Sequence, residues 1–174
     1  MKKCLLLVAI LATFLSGCSS QQTFETVTDD YIQPVMAQMQ QMVVAIPSDA
    51  TVEVMENNTE GKIYLCDGYT ATLHTTQAGD LEKTLRDTTG FTQEQLRFIQ
   101  TQYGGITRTE GVWTAAGEKE DQVGRFAVLD DGNYHYVLTC MAGVSNMETI
   151  NPVWEELFSS FRLEDPQLEL NTGS

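Results

Sequence analysis

Histidine, tryptophan and proline are scarce in this 174-residue chain, which holds two, two and four of them, and its 10 lysines and arginines face 24 aspartates and glutamates. A net charge of −14 excludes a nucleic-acid binder and electrostatic attachment to an anionic bilayer, since both need cations to neutralise phosphate. Of four cysteines, Cys4 falls in the N-terminal leader and Cys18 directly follows it, which leaves Cys66 and Cys140, too few for a disulfide scaffold. The two histidines, His74 and His135, stand far from each other and from any close-spaced cysteine pair, so no structural zinc motif is present and no metal is implied. Neither Gly-x-Ser-x-Gly nor Ser-x-x-Lys occurs, which removes the common serine-nucleophile signatures. Gly104-Gly105 follows a predicted helix, whereas a phosphate cradle precedes one, so no nucleotide cofactor is implied. Carboxylates are so abundant that a pair suited to glycoside chemistry has no discriminating value.

What is present starts at the N-terminus. Lys2 and Lys3 precede an apolar stretch from Cys4 to Leu15, followed by the small residues Ser16 and Gly17. This is the layout of a signal peptide and is too short to span a bilayer comfortably. Leu15-Ser16-Gly17-Cys18 resembles the lipobox of bacterial lipoproteins. The resemblance implies cleavage before Cys18, a thioether-linked diacylglyceryl group on its sulfur, a fatty acyl chain such as palmitate on its amine, and a place on the extracytoplasmic face of a membrane. Two or three chains anchor durably, because each buried methylene contributes about 0.8 kcal/mol and a single chain holds only marginally. Losing residues 1–17 removes two lysines and no acid, so the net charge passes from −14 to −16 and the lipid must anchor without electrostatic help.

Residues 18–23 form a lipidated tether, and residues 24–163 suffice for one domain with its own core. Tyr31, Val35, Met36, Met39, Met42 and Val43 recur at helical spacing, which predicts an amphipathic helix over Asp30–Val44, capped by Asp29 or Asp30 with Pro34 in its first turn. Strands are predicted over Thr51–Glu56, Lys62–Cys66 and Tyr69–Thr75, joined by turns at Asn57–Gly61 and Asp67-Gly68. Asp80 caps a short helix ended by Gly90. Thr92–Gln95 reads as a capping box opening a second helix, with Leu96, Ile99 and Tyr103 on one face and Gly104-Gly105 as its stop. Ile106–Arg108, Val112–Ala115, Gln122–Leu129 and Tyr134–Met141 read as strands of a meander that turns at Asp130–Asn133. Asn151 and Pro152 predict the start of a last helix whose apolar face is Val153, Trp154, Leu157, Phe158 and Phe161. Residues 164–174 form an acidic tail expected to fray.

This order predicts an α+β fold, an antiparallel sheet with helices packed on its faces. The late strand pair, Gln122 to Met141, and the aromatic helix ending Leu157-Phe158-Ser159-Ser160-Phe161-Arg162-Leu163 resemble the closing half of PsbP/Mog1/DcrB-like domains. That group includes lipid-anchored or secreted accessory proteins and partner-binding modules. The resemblance therefore implies a noncatalytic module that binds an envelope protein or a small molecule.

Strand alternation sets Tyr134, Tyr136 and Leu138 on one sheet face and His135, Val137 and Thr139 on the other. Whichever face the helices leave bare is the candidate binding surface, with Tyr134 and Tyr136 its first candidates. Cys66 and Cys140 either pair in an oxidising compartment or are small buried hydrophobes. The competing enzymatic reading is an envelope hydrolase joining one of these cysteines to His74 or His135.

Overall fold

The computed structural model describes residues 24–28, 39–55 and 61–164. Cys18, the capping aspartates Asp29 and Asp30, the residues Tyr31, Pro34, Val35 and Met36, most of the Asn57–Gly61 turn and the tail beyond Glu164 lie outside the described residues.

Alternating apolar residues set most of the architecture. Among the described residues ten strands form: β1 (Phe24–Thr28), β2 (Gln41–Pro47), β3 (Thr51–Val54), β4 (Gly61–Cys66), β5 (Tyr69–Gln77), β6 (Arg97–Tyr103), β7 (Ile106–Ala115), β8 (Gln122–Asp130), β9 (Tyr134–Gly143) and β10 (Arg162–Glu164). Helix α1 (Leu81–Thr89) falls between β5 and β6, and α2 (Met147–Ser160) between β9 and β10. Seven strands make one antiparallel sheet in the order β3-β4-β5-β9-β8-β7-β6, and a second sheet has the order β1-β2-β10.

The two faces of the large sheet are covered differently. On one face Tyr64, Tyr69, Ala71, Leu73, Ala127, Leu129, Tyr136, Leu138 and Cys140 meet Ile150, Trp154, Leu157, Phe158 and Phe161 around α2, with Met42, Val44 and Ile46 arriving from β2. On the other face a smaller cluster joins Phe126, Val128 and Val137 to Leu85 of α1 and to Leu96. Two arginines tie α2 down. Arg125 stacks 4.3 Å from the Phe158 ring centroid and pairs with Glu155, while Arg108 reaches the helix C-terminus.

The first helix of the large sheet's open side matches the sequence closely. Asp80 accepts from the Glu82 N–H at 2.9 Å, and Gly90 ends α1 at φ +79, a left-handed conformation that glycine adopts without Cβ strain.

Elsewhere the structure corrects the sequence reading. Gln41–Val44 are strand, not the end of a helix: Met42, Val44 and Ile46 point into the core at period two, held between β1 and β10. The Thr92–Gln95 capping box forms, but it closes a single 3-10 turn, and Leu96 at ψ 146 already runs extended into β6. Gly104 and Gly105, both at positive φ, turn a hairpin instead of stopping a helix. Ile106–Ala115 is one strand without a break; at Gly111 an added Cβ would sit 2.7 Å from the Phe126 ring. Helix α2 starts at Met147, so Asn151 is no cap and Pro152 lies inside the helix. Two strands, β1 and β10, had no sequence signal, and β10 carries pairing through Glu164, opposite Gln41.

Candidate functional site

The four residues nominated for nucleophilic chemistry are split by the sheet. Cys66 lies beside Tyr69, and Cys140 beside Ala71, both on the α2 face. His74 is paired with Val137, and His135 with Thr76, on the α1 face. A sheet lies between the thiols and the imidazoles, so the cysteine–histidine dyad required by the hydrolase reading cannot assemble. Burial pushes both thiols up, the Cys140 thiol strongly, which disfavours the thiolate a nucleophile needs.

Cys66 and Cys140 do not pair with each other. Both are free, and β5 runs between their strands. Strands two apart are separated by roughly 9–10 Å, beyond the ~4.4–6.8 Å between Cα atoms that a disulfide spans. Cys140 is the small buried hydrophobe of the alternative reading, whereas Cys66 is only half-buried.

His135 is fully buried, with Nδ1 2.7 Å from Thr84 Oγ1 on α1 and Nε2 3.7 Å from Asp130 Oδ2. Burial lowers the pKa of His74, with Asp87 on α1 opposing it. Both histidines thus serve the packing of α1 onto the sheet. Among the described residues, no group of three or more His, Cys, Asp or Glu side chains could hold a metal ion.

The tyrosines nominated for a binding surface lie on the covered face. Tyr136 is fully buried against the α2 core; its hydroxyl accepts from the Gln40 N–H at 2.8 Å and donates to Asp131 Oδ2 at 2.9 Å. Tyr134 packs beside it, with ring centroids 6.1 Å apart. Tyr136 is a core residue because β2 and α2 close over that face.

Among the described residues, a bare surface lies on the opposite face, past the end of α1. Strand pairing there aligns one row across six strands: Thr51, Leu65, Thr70, Met141, Gly124 and Trp113. Beside it runs a second row, Ile63, Thr72 and Thr139, which ends at the buried Phe126. Met141 is 47 % exposed and Leu65 40 % exposed. The Trp113 ring extends over Gly124, where a Cβ would fall 2.1 Å from the indole, so glycine is what lets the ring lie against the sheet. The alternation rule anticipated a bare face, but the helix positions that decide which one were not in the pattern.

A separate cleft of about 170 Å³ lies between the two sheets, lined by Glu25, Ile46, Pro47, Ala50, Val52, Lys62 and Tyr64. Tyr64 is buried, whereas Val52 opens to solvent.

No protein family and no curated protein matches the sequence. Solved structures do. The solution structure of cyanobacterial PsbP (CyanoP) from Synechocystis superposes with a TM-score of 0.54 at 9 % identity, covering 86 % of this chain and 99 % of that one. The chain has a PsbP-like fold. A second structure with this fold, LpqN, which is involved in cell envelope biogenesis of Mycobacterium tuberculosis, superposes with a TM-score of 0.52 at 9 % identity over 83 % of this chain and 93 % of its own. The yeast Ran-binding protein Mog1p gives a TM-score of 0.45 at 11 % identity over 83 % of this chain and 99 % of its own. At such identities the PsbP-like likeness extends to the backbone and not to individual site residues.

Proposed function

We propose that this chain is a lipid-anchored, noncatalytic accessory module that holds a protein partner at the extracytoplasmic face of a membrane, with Cys18 as the anchor and the bare sheet face as the contact. The observation that carries this reading is the exposed apolar pair Leu65 and Met141 beside Trp113, on the part of the sheet that α1 leaves uncovered. An uncovered apolar sheet face on a chain this acidic marks a contact surface more readily than a solvated one. The lipobox resemblance and the role of LpqN, a protein of the same fold, in cell envelope biogenesis support the location.

A small-molecule ligand is the weaker reading. The cleft between the sheets holds about 170 Å³, below the ~300–1,000 Å³ of sites that enclose a small ligand.

The test is crosslinked co-purification from native membranes, comparing wild type with Cys18→Ala and with Met141→Glu. A stoichiometric protein partner lost in both variants supports the reading. Retention of the partner by Met141→Glu overturns the contact surface, and unchanged membrane fractionation of Cys18→Ala overturns the anchor.

A further inference from the structure

Among the described residues the large sheet has two edges of unlike character. At one end, β3 is four residues long and carries Glu53, a short charged edge of the kind that resists pairing. At the other end, β6 runs seven residues, Arg-Phe-Ile-Gln-Thr-Gln-Tyr, without proline, lysine or acid. In a chain of net charge −14, such an acid-free strand is where a second copy meets least repulsion.

The hairpin geometry decides which backbone groups are unused. Tyr103 and Ile106 flank the two-residue Gly104-Gly105 turn, and residues flanking a two-residue turn exchange both hydrogen bonds. Arg97, Ile99, Thr101 and Tyr103 therefore bond inward to β7. Phe98, Gln100 and Gln102 turn their N–H and C=O groups outward from the sheet. On the α2 face of this hairpin Ile99 is 65 % exposed, Val112 53 % and Tyr103 47 %.

We propose that β6 pairs antiparallel with β6 of a second copy, about a twofold axis through Gln100. This register satisfies every outward group: Phe98 bonds the partner's Gln102, Gln100 bonds the partner's Gln100, and Gln102 bonds the partner's Phe98. It also suits the side chains. Arg97 falls opposite the partner's Tyr103, a cation–π pairing, and Ile99 falls opposite the partner's Thr101 and diagonal to the partner's Ile99. The two arginines end about 20 Å apart, beyond the ~8–10 Å over which salt leaves charges coupled. No like charges oppose each other, and the strand is complementary to itself. Because each copy carries the same net charge, pairing strengthens as salt is raised, whereas an acidic peptide drawn to Arg97 would weaken.

The register makes a sharp test. Full-length Gln100→Cys, Gln102→Cys and wild type are expressed, oxidised mildly in intact cells and run on a non-reducing gel, with wild type showing the background from the native cysteines. Paired residues at Gln100 have Cα atoms about 5.5 Å apart, within disulfide reach, while two copies of residue 102 are about 14 Å apart. The expected result is a covalent homodimer for Gln100→Cys and only background for Gln102→Cys. A further variant, Gln100→Pro, removes an outward N–H and no backbone bond to β7, losing there only the side-chain bond from Gln100 Nε2 to Thr109 Oγ1, so it keeps the fold by circular dichroism and loses the dimer in sedimentation. The proposal is overturned by background crosslinking at Gln100→Cys, by equal crosslinking at both positions, by a Gln100→Cys adduct with a different protein, or by a folded Gln100→Pro that still dimerises.

Discussion

Arg108 donates from Nη2 to the Phe158 carbonyl at 2.6 Å and from Nη1 to the Phe161 carbonyl at 2.7 Å, so a side chain from β7 caps the C-terminus of α2. A guanidinium at that end meets both the unsatisfied carbonyls and the negative pole of the helix. Its charge is further balanced by Glu110 at 2.7 Å. Replacing it with a methionine keeps the stem and removes all three bonds. Arg108→Met is expected to cost about 2–4 kcal/mol, because charged hydrogen bonds are lost and Glu110 is left half-buried without its cation. Urea denaturation of the two proteins checks this, and a loss under 1 kcal/mol (about half the low estimate) would show that water caps the helix equally well.

Gly124 has a contact of the opposite kind, one defined by the absence of a side chain. An alanine there would place its Cβ within 2.1 Å of Trp113, so the indole must leave its seat on the sheet. Gly124→Ala is expected to destabilise by about 1–3 kcal/mol, as overpacked positions do. The same change in a Trp113→Ala background should cost much less, since the clash is gone. Equal costs in the two backgrounds would sink this account.

Acid should loosen α1. Burial lowers the folded-state pKa of His74 below the ordinary value of about 6.5, so the unfolded chain binds the proton more readily than the folded one. The stability this group contributes is present above about pH 6.5 and falls as pH drops toward the folded-state pKa. Denaturation midpoints measured between pH 7.5 and pH 5, about the range where histidine titrates, should decline, and His74→Gln should flatten part of the slope. A decline identical in His74→Gln assigns the effect to the carboxylates.

Reducing agent should leave the melting temperature unchanged, because Cys66 and Cys140 are free thiols on strands separated by β5. Burial raises both, so maleimide labelling at neutral pH should be slow at Cys66 and absent at Cys140 until the protein is unfolded. Rapid labelling of Cys140 in the folded chain would contradict its burial.

Much of the fold was legible wherever local signals and tertiary demands agree. Asp80 and Gly90 bracket α1 because a carboxylate cap and a left-handed glycine are locally favoured. The Asp130–Asn133 turn formed as its residues predict, with Gly132 at φ +89. The misreadings share one cause. Leu96, Ile99 and Tyr103 fit a helical spacing, yet β6 pairs along all of β7 and a hairpin outweighs a short helix that would have few partners. Met42 and Val43 likewise fit helical spacing but are held in the middle strand of the small sheet. For the site, the alternation along β9 was legible, while Tyr136 proved to be core because β2 and α2 arrive from distant parts of the chain to cover it.

The sequence by itself determined the antiparallel α+β character of this protein and the two-faced division of its sheet, because side-chain alternation and turn chemistry act over a few residues. Its acidity and the lipobox-like Leu15–Cys18 segment also carry, without any fold, the expectation of a lipid anchor unaided by charge. Only the tertiary structure decided which face stays bare, that Cys66 and Cys140 lie across the sheet from His74 and His135, and which strands edge the sheet among the described residues. Those depend on where α1, α2 and β2 come to rest, and that is set by burying apolar surface across long separations in the chain, which no short window of residues contains.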